Sequence, residues 1–540
     1  MTMKVYSAIA HTLTDYGVDT IFGLIGDANM YSIGEYRRLG KGRYIGAVDE
    51  GGACSMAVGY ARVGGKVGVA TVTHGPGAAN TVNAVTEAAR TNTPFVLITG
   101  STPRKRFHIQ DIDLKALFSA TGAEYYKVLR AEHVVNDLAR ALARAARTNS
   151  AIVLDIPYDI CHEDVDYVPA EFISHPKQKF SPDDVSMDNA LGRLASANRP
   201  VILAGRGAVE SGARDELIEL ADLLGAPLAT TAAAKDFFHG EKYNLGIMGD
   251  HGQPWAVDII AKSDCIAAFG AALNNYTTVD GELLAGKSVI QVDSAAGAIG
   301  RFNPVSCAVT ADAATAAAAM VEQLKEAGVA ATSFRDSQLT GGVLERDPRQ
   351  YFTDRSTDTE LDVRTAMVTL DENLPADRVI VTDGGRFVPA PWGFLHASTA
   401  RNFTHTYGWG SIGLGIATAV GAAVANPDAV TVCVAGDGGG MMGLIEFSTA
   451  VRHNIPLLVV VLNDSAYGAE YSKFEQTGFS PDNCFQSWPE FSEVARSLGG
   501  RGITVRTEKE LRDVVAEIGD LTDQLLIEIK ADPSVDPMAP

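Results

Sequence analysis

Two short apolar runs bracket an acidic pair and leave few folds open to this chain. Residues 430–435 read as a buried strand, and Gly436-Asp437-Gly438-Gly439-Gly440 follows at once. A helix-like stretch, 441–454, leads to a second apolar run, 455–462, and then to Asn463-Asp464, 27 residues beyond Asp437. A helix of that length climbs back about 21 Å, and the second strand returns over a similar distance at about 3.3 Å per residue. Such crossovers are nearly always right-handed and leave their strands parallel. Asp437 and Asp464 are therefore expected at the carboxyl edge of one sheet, where open α/β sheets bind their ligands.

Gly-Asp-Gly alone is a common turn. Its place between two strands, with a second acid at the same edge, gives it chemical meaning. Two hard oxygen donors, a nearby carbonyl and a glycine loop of free N–H groups suit a Mg²⁺ ion holding a diphosphate.

The 540 residues exceed what one core organises and imply two or three domains. Net charge is -21, from 45 basic and 66 acidic residues, which argues against nucleic acid or an anionic membrane as partner. Six cysteines without paired or metal-type spacing read as reduced packing thiols. Residues 1–17 lack the apolar core of a signal peptide, and a cytoplasmic location is expected. Residues 402–427 carry no Asp, Glu, Lys or Arg, yet their helical part, 412–425, is too short for a bilayer needing about 20 apolar residues. It reads as a buried Ala/Gly-rich helix.

Strand and helix patterns alternate in three blocks, expected as domains at 1–165, 185–330 and 355–540, with polar linkers between them. The fold expected is α/β, with three consecutive doubly wound parallel sheets. In the second block, Gly205-Arg206-Gly207 after the run 200–204 suggests a dinucleotide site, but the third glycine of that fingerprint is missing.

Gly436-Asp437-Gly438 followed at this interval by Asn463-Asp464 resembles the signature of thiamine-diphosphate (ThDP) enzymes, nearest the acetolactate synthase, pyruvate oxidase and benzoylformate decarboxylase branch. The resemblance covers nearly the whole chain. It implies pyrimidine-binding, central and diphosphate-binding domains in that order, with Mg²⁺ held by Asp437, Asp464 and the Ala466 carbonyl. Asp464 stands where many members have Asn, which adds a charge and keeps an oxygen donor. Glu50, in Glu50-Gly51-Gly52-Ala53-Cys54-Ser55-Met56-Ala57-Val58-Gly59-Tyr60-Ala61-Arg62, resembles the family's cofactor-activating Glu. Without that resemblance it reads as a helix-start carboxylate favoured by the dipole. Its implied role is to protonate the aminopyrimidine, whose amino group then takes the thiazolium proton. Ile412, in Gly410-Ser411-Ile412-Gly413, matches the residue wedged between the two cofactor rings, and the Gly410 carbonyl would accept from the amino group. Gly438, Gly439 and the turn Asp383-Gly384-Gly385-Arg386 are the candidate diphosphate binders; Arg386 also reads as a surface cation.

The substrate side is less constrained. His74, in Thr73-His74-Gly75-Pro76-Gly77, sits where the family often has Ser, and reads equally as an acid/base group or a loop histidine. Asp27 and Glu470 match acidic positions of pyruvate decarboxylases, although the paired histidines of those enzymes are absent; Gln110 matches a cofactor-side Gln of the acetolactate synthase branch. Residues 269–274 lack that branch's arginine-rich flavin segment, so FAD is not expected. The implied activity is cleavage or formation of a C–C bond beside a carbonyl, foremost 2-oxo acid decarboxylation with carboligation. Two alternatives are hydrolysis of a 1,2-diketone, favoured by His74, and a nicotinamide or flavin oxidoreductase using Gly205 to Gly207. The resemblance also implies a homodimer or homotetramer whose active sites lie between subunits.

Overall fold

A computed structural model of the chain describes residues 1–103, 108–171, 179–339, 347–519 and 521–539. The short Val/Ile/Leu/Ala runs pair into three six-stranded sheets in which every neighbouring pair is parallel. The first sheet runs, in spatial order, Arg43–Gly46, Thr20–Gly23, Gly68–Thr71, Phe95–Thr99, Ala151–Asp155 and Glu124–Lys127. The third runs Phe403–His405, Arg378–Thr382, Val430–Gly436, Leu457–Asn463, Gln524–Lys530 and Arg501–Val505. Counted along the chain, both have the order 2-1-3-4-6-5, whereas the second, residues 200–310, has the order 3-2-1-4-5-6 of dinucleotide-binding sheets.

Both faces of each sheet are covered, which explains the continuous apolar runs. Val379 and Val381 face one core while Ile380, between them, faces another. Val96 and Leu97 divide likewise in the first sheet, and Val201 and Ile202 in the second. One core is common to the first and third sheets. Its centre is the helix Glu50–Gly64 packed on the helix Gly415–Ala425. A Cβ at Gly59 would collide with the Thr418 carbonyl, and one at Gly421 with the Met56 carbonyl, so the two backbones touch. The uncharged stretch thus holds a buried helix, Gly415–Ala425, and among the described residues no helix is long and apolar enough to cross a membrane. Buried Arg62 spans the same seam, with Glu87 at 2.9 Å and the His405 carbonyl at 2.6 Å.

Three local expectations change. The stretch after Asp437 is not one helix over 441–454: a helix Asp437–Gly443, a 3-10 turn Leu444–Glu446 and a helix Phe447–Arg452 follow one another. Gly443 ends the first piece where a Cβ would lie 2.7 Å from the Gly413 carbonyl oxygen. The second helix begins at Gly415 rather than 412, because Gly413 takes φ +90° and breaks the helical run, leaving Ile412 on a loop. Asp164–Asp166, at the start of the first linker, is a strand paired antiparallel with Thr2–Lys4, held by the buried Val165 side chain and the Lys4–Asp164 ion pair at 2.9 Å. All six cysteines are buried and free of disulfides.

Candidate active site

Strands Val430–Gly436 and Leu457–Asn463 pair with Gly436 opposite Leu462, so Asp437 and Asp464 leave the sheet side by side. In the third sheet Val430–Gly436 adjoins Arg378–Thr382, and the chain order reverses between them, at the switch point where such sheets bind ligands. Asp437 is buried. One of its oxygens accepts from the Gly438 N–H at 2.7 Å and the other from Trp488 Nε1 at 3.0 Å. Burial, and then the charge of Asp464, push its carboxyl up to about 7. Burial also raises Asp464, against the lowering effect of Arg386. Asp464 accepts from the Ala466 N–H at 3.1 Å, and the intervening Ser465 has φ +55°, a bend that brings Ala466 back towards the acid pair.

A raised acid favours the protonated folded state, so Asp437 contributes stability below about pH 4 that is lost as pH rises through about 7. A divalent cation would replace the proton. Mg²⁺ affinity measured with ThDP present is expected to fall up to about tenfold per pH unit below about pH 7. Calorimetry giving equal affinity at about pH 6 and about pH 8 would contradict this coupling.

Asp383 organises the opposite wall. Fully buried and raised by that burial, its carboxylate accepts from the Gly413 N–H at 2.8 Å and from Thr406 Oγ1 at 2.9 Å. It therefore clamps the loop carrying Gly410, Ser411 and Ile412. A Cβ on Gly439 would strike the same carboxylate, so the glycine lets loop and helix meet. A Cβ on Gly384 would lie 3.4 Å from the Ile412 side chain and 2.9 Å from the Tyr407 ring. Gly385 takes φ +148°, and Gly410 faces open space with φ +83°. Arg386 is not a free cation: it pairs with Asp464 at 3.2 Å, reaches Ser472 Oγ at 3.1 Å and donates to the Pro533 carbonyl. Glu470 is exposed on the helix Gly468–Thr477, and its charge is felt by the Tyr407 hydroxyl.

On the first sheet, Asp49 caps the helix with its side chain on the Gly52 N–H at 3.1 Å, which frees Glu50, the next residue, from that structural task. Glu50 accepts from Asn80 Nδ2 at 3.0 Å, and a Cβ at Gly77 would lie 3.1 Å from it. His74 and Gln110 meet, with Nε2 and Oε1 2.8 Å apart. The other ring nitrogen lies 3.5 Å from Thr73 Oγ1, and the ring packs edge-on to His108 and Tyr158. Asp27 is exposed, next to Gly26 and to Ile25, which is also exposed. Within one chain the two halves are tied by Asn83, which donates to Ser411 Oγ at 2.8 Å and accepts from Trp409 at 3.0 Å. Among the described residues no hydrogen bond joins Glu50 to the Gly410–Gly413 loop.

Sequence reasoning missed two residues. Asp383 was visible only as part of a turn. Glu446 gave no signal beyond being an acid among Leu444, Ile445 and Phe447, yet its buried carboxylate accepts from the Val48 and Asp49 N–H groups at 3.1 and 2.9 Å, docking the start of the Glu50 helix on the third domain.

These features suit a diphosphate held through a divalent cation. A buried carboxylate is raised by burial and by the charge of a partly buried neighbour that Arg386 only partly offsets, glycines line the approach, and the loop above them is fixed by a third carboxylate. In the second domain, Gly205 and Gly207 are consumed in close packing on Gly270, and Arg206 pairs with Glu210 at 3.0 Å, which accounts for that glycine pair without a nucleotide.

Residues 3–117 match the N-terminal TPP binding domain of thiamine pyrophosphate enzymes, residues 187–320 their central domain and residues 383–529 their C-terminal TPP binding domain. The chain is 28% identical to a probable acetolactate synthase large subunit of Methanococcus aeolicus, over 90% of this chain and 85% of that one. It is 29% identical to a sulfoacetaldehyde acetyltransferase of Castellaniella defragrans, over 92% and 87%, and 28% identical to the acetolactate synthase large subunit of Parasynechococcus marenigrum, over 100% and 90%. With three domains matched in order along a chain whose acid pair and glycine loop sit at the third sheet's switch point, this protein belongs to the thiamine pyrophosphate enzymes.

Proposed function

We propose that the enzyme depends on Mg²⁺ as well as ThDP and decarboxylates a 2-oxo acid, joining the remaining fragment to an aldehyde or a second oxo acid. The observation that carries this reading is the pair of buried Asp437 and partly buried Asp464 beside the clamped Ile412 loop. Asp437, Asp464 and the Ala466 carbonyl would hold Mg²⁺. Backbone groups of Gly384, Gly385, Gly438 and Gly439 would face the diphosphate, while Arg386 positions Asp464. Ile412 would keep the two cofactor rings folded together, with the Gly410 carbonyl accepting from the amino group. Glu50 holds the proton that the aminopyrimidine needs. When bound, ThDP supplies the nucleophilic carbon and the electron sink. The His74–Gln110 pair and the exposed Asp27 and Glu470 would meet substrate.

Of the relatives' names, acetolactate synthase supports carboligation, whereas sulfoacetaldehyde acetyltransferase speaks of acetyl transfer. Both ring nitrogens of His74 are engaged within the chain, Nε2 by Gln110 at 2.8 Å and Nδ1 by Thr73 at 3.5 Å, and this fixed ring makes diketone hydrolysis the second reading. A panel of 2-oxo acids is expected to include one that releases CO₂ only with ThDP and Mg²⁺. Cleavage of 1,2-diketones without any CO₂-releasing substrate would reverse the order of these two readings.

The functional unit is proposed to be a dimer, or a tetramer of dimers, with Glu50 of one subunit serving the Asp437 site of the other. Trp409, Met442 and Ile445 remain about half exposed around the site in one chain, an apolar surface that a second copy would cover. Mixing inactive Glu50→Gln and Asp437→Ala subunits should restore part of the activity, because some hybrid dimers keep one site with both residues intact. Zero activity after subunit exchange, verified by native mass spectrometry, would refute the shared site.

A further inference from the structure

Away from the cofactor site, the second and third domains meet at a group of metal-binding side chains that the ThDP chemistry does not use. Asp236 and His239 lie on the loop that follows the strand Leu228–Thr230, and His396 follows the helix Pro389–Phe394. One ligand atom from each of the three lies within 4.8 Å of the others.

Each side chain is set up for ligation. Asp236 takes φ +65°, a strained value for a residue other than glycine, and such strain concentrates at functional sites. Its Oδ2 accepts from Lys235 Nζ at 2.7 Å and from the Ala397 N–H at 2.8 Å, while Oδ1 takes no hydrogen bond among the described residues. His396 Nδ1 lies 3.0 Å from Asp371 Oδ2, and Asp371 is itself gripped by Arg378 and by the His396 N–H. A carboxylate on one ring nitrogen fixes the tautomer and leaves Nε2 as a metal donor, the arrangement found behind zinc-bound histidines. The His239 ring lies 4.4 Å from the His396 ring, tilted by 37°.

We propose that Asp236, His239 and His396 bind a divalent transition ion, Zn²⁺ foremost, that clamps the second domain to the third. Lys235 and Arg378 already neutralise Asp236 and Asp371, so there is no surplus negative charge to attract Mg²⁺ or Ca²⁺. Affinity would rest on directional bonds from two imidazoles, which favours Zn²⁺, Co²⁺ or Ni²⁺. Bonds of about 2.1 Å in a tetrahedral site put donors about 3.4 Å apart. The exposed His239 side chain can close that gap by rotating, and water would take the fourth position.

The test uses the holoenzyme saturated with ThDP and Mg²⁺, titrated with Co²⁺ and followed by its visible d–d bands. One equivalent per chain should produce intensified bands that Zn²⁺ abolishes and excess Mg²⁺ does not. His239→Ala, at an exposed side chain that the fold does not need, should weaken Co²⁺ binding by at least about 100-fold, and Asp371→Asn by roughly 10–100-fold. His239→Cys, which restores a ligand, should recover binding. The proposal is overturned if wild-type protein shows no Co²⁺ bands, or if the bands persist in both His239→Ala and His396→Ala. It is equally overturned if the histidines respond only to pH and never to metal.

Discussion

Glu50→Gln is expected to retain ThDP while slowing exchange of the thiazolium proton by about 10²–10⁴-fold, the usual worth of a positioned acid/base group. The amide keeps the side chain's shape and an oxygen for Asn80 Nδ2, now 3.0 Å away. What it loses is the ability to hold a proton. Structural damage should be slight, because Asp49 rather than Glu50 caps the helix. The lost charge at the helix start costs about 0.3–1 kcal/mol, since the dipole favours an anion there. Exchange in deuterated buffer, followed by NMR alongside a thermal melt, separates the two effects. A wild-type exchange rate in a ThDP-loaded variant would remove Glu50 from the proposed chemistry.

Asp437→Ala is expected to weaken Mg²⁺-dependent ThDP binding by at least about 100-fold, beyond the effect seen when groups supporting a metal ligand are changed. The alanine also strands Trp488 Nε1 and the Gly438 N–H, which Asp437 now satisfies, at about 1–3 kcal/mol for a donor left buried without a partner. Asp437→Asn is the cleaner variant, since its carbonyl oxygen keeps an acceptor at the site and only the charge goes. Relieving the repulsion with Asp464 should leave the cofactor-free Asn variant at least as heat-stable as wild type above about pH 7, even as it loses ThDP. Calorimetry showing unchanged ThDP affinity in either variant would refute the metal assignment.

The parts of this site that are local in sequence could be read from it. Asp437 and Asp464 lie at the ends of two adjacent strands, and the length of the intervening segment alone puts them at one edge. The boundaries failed where glycine broke the pattern: Gly413, at φ +90°, delays the start of its helix to Gly415, and Gly443 ends a helix where the Gly413 carbonyl crosses, and no periodicity records such events. Roles that depend on partners far along the chain were invisible. Arg386 looks like any arginine until Asp464 lies beside it. Asp383 clamps Gly413, Glu446 docks on Val48 and Asp49, and Asp371 orients His396, across separations from 25 to almost 400 residues. Such pairs are products of the tertiary fold, and a single sequence carries no local trace of them.

The core shared by the first and third sheets has a consequence for how the chain is made. The helix Glu50–Gly64 leaves the ribosome early, but Gly415–Ala425, which covers its Met56 and Gly59 face, is translated about 350 residues later. At 5–20 residues per second that delay is about 20–70 s. The second domain closes its own two cores in the meantime. During synthesis the amino-terminal domain therefore carries an uncovered seam of Ala, Gly and Met, and it completes its packing only when the last third of the chain arrives. Truncation anywhere before Gly415 should strand that seam in water, so incomplete chains of this enzyme become substrates for chaperones and proteases rather than functional fragments.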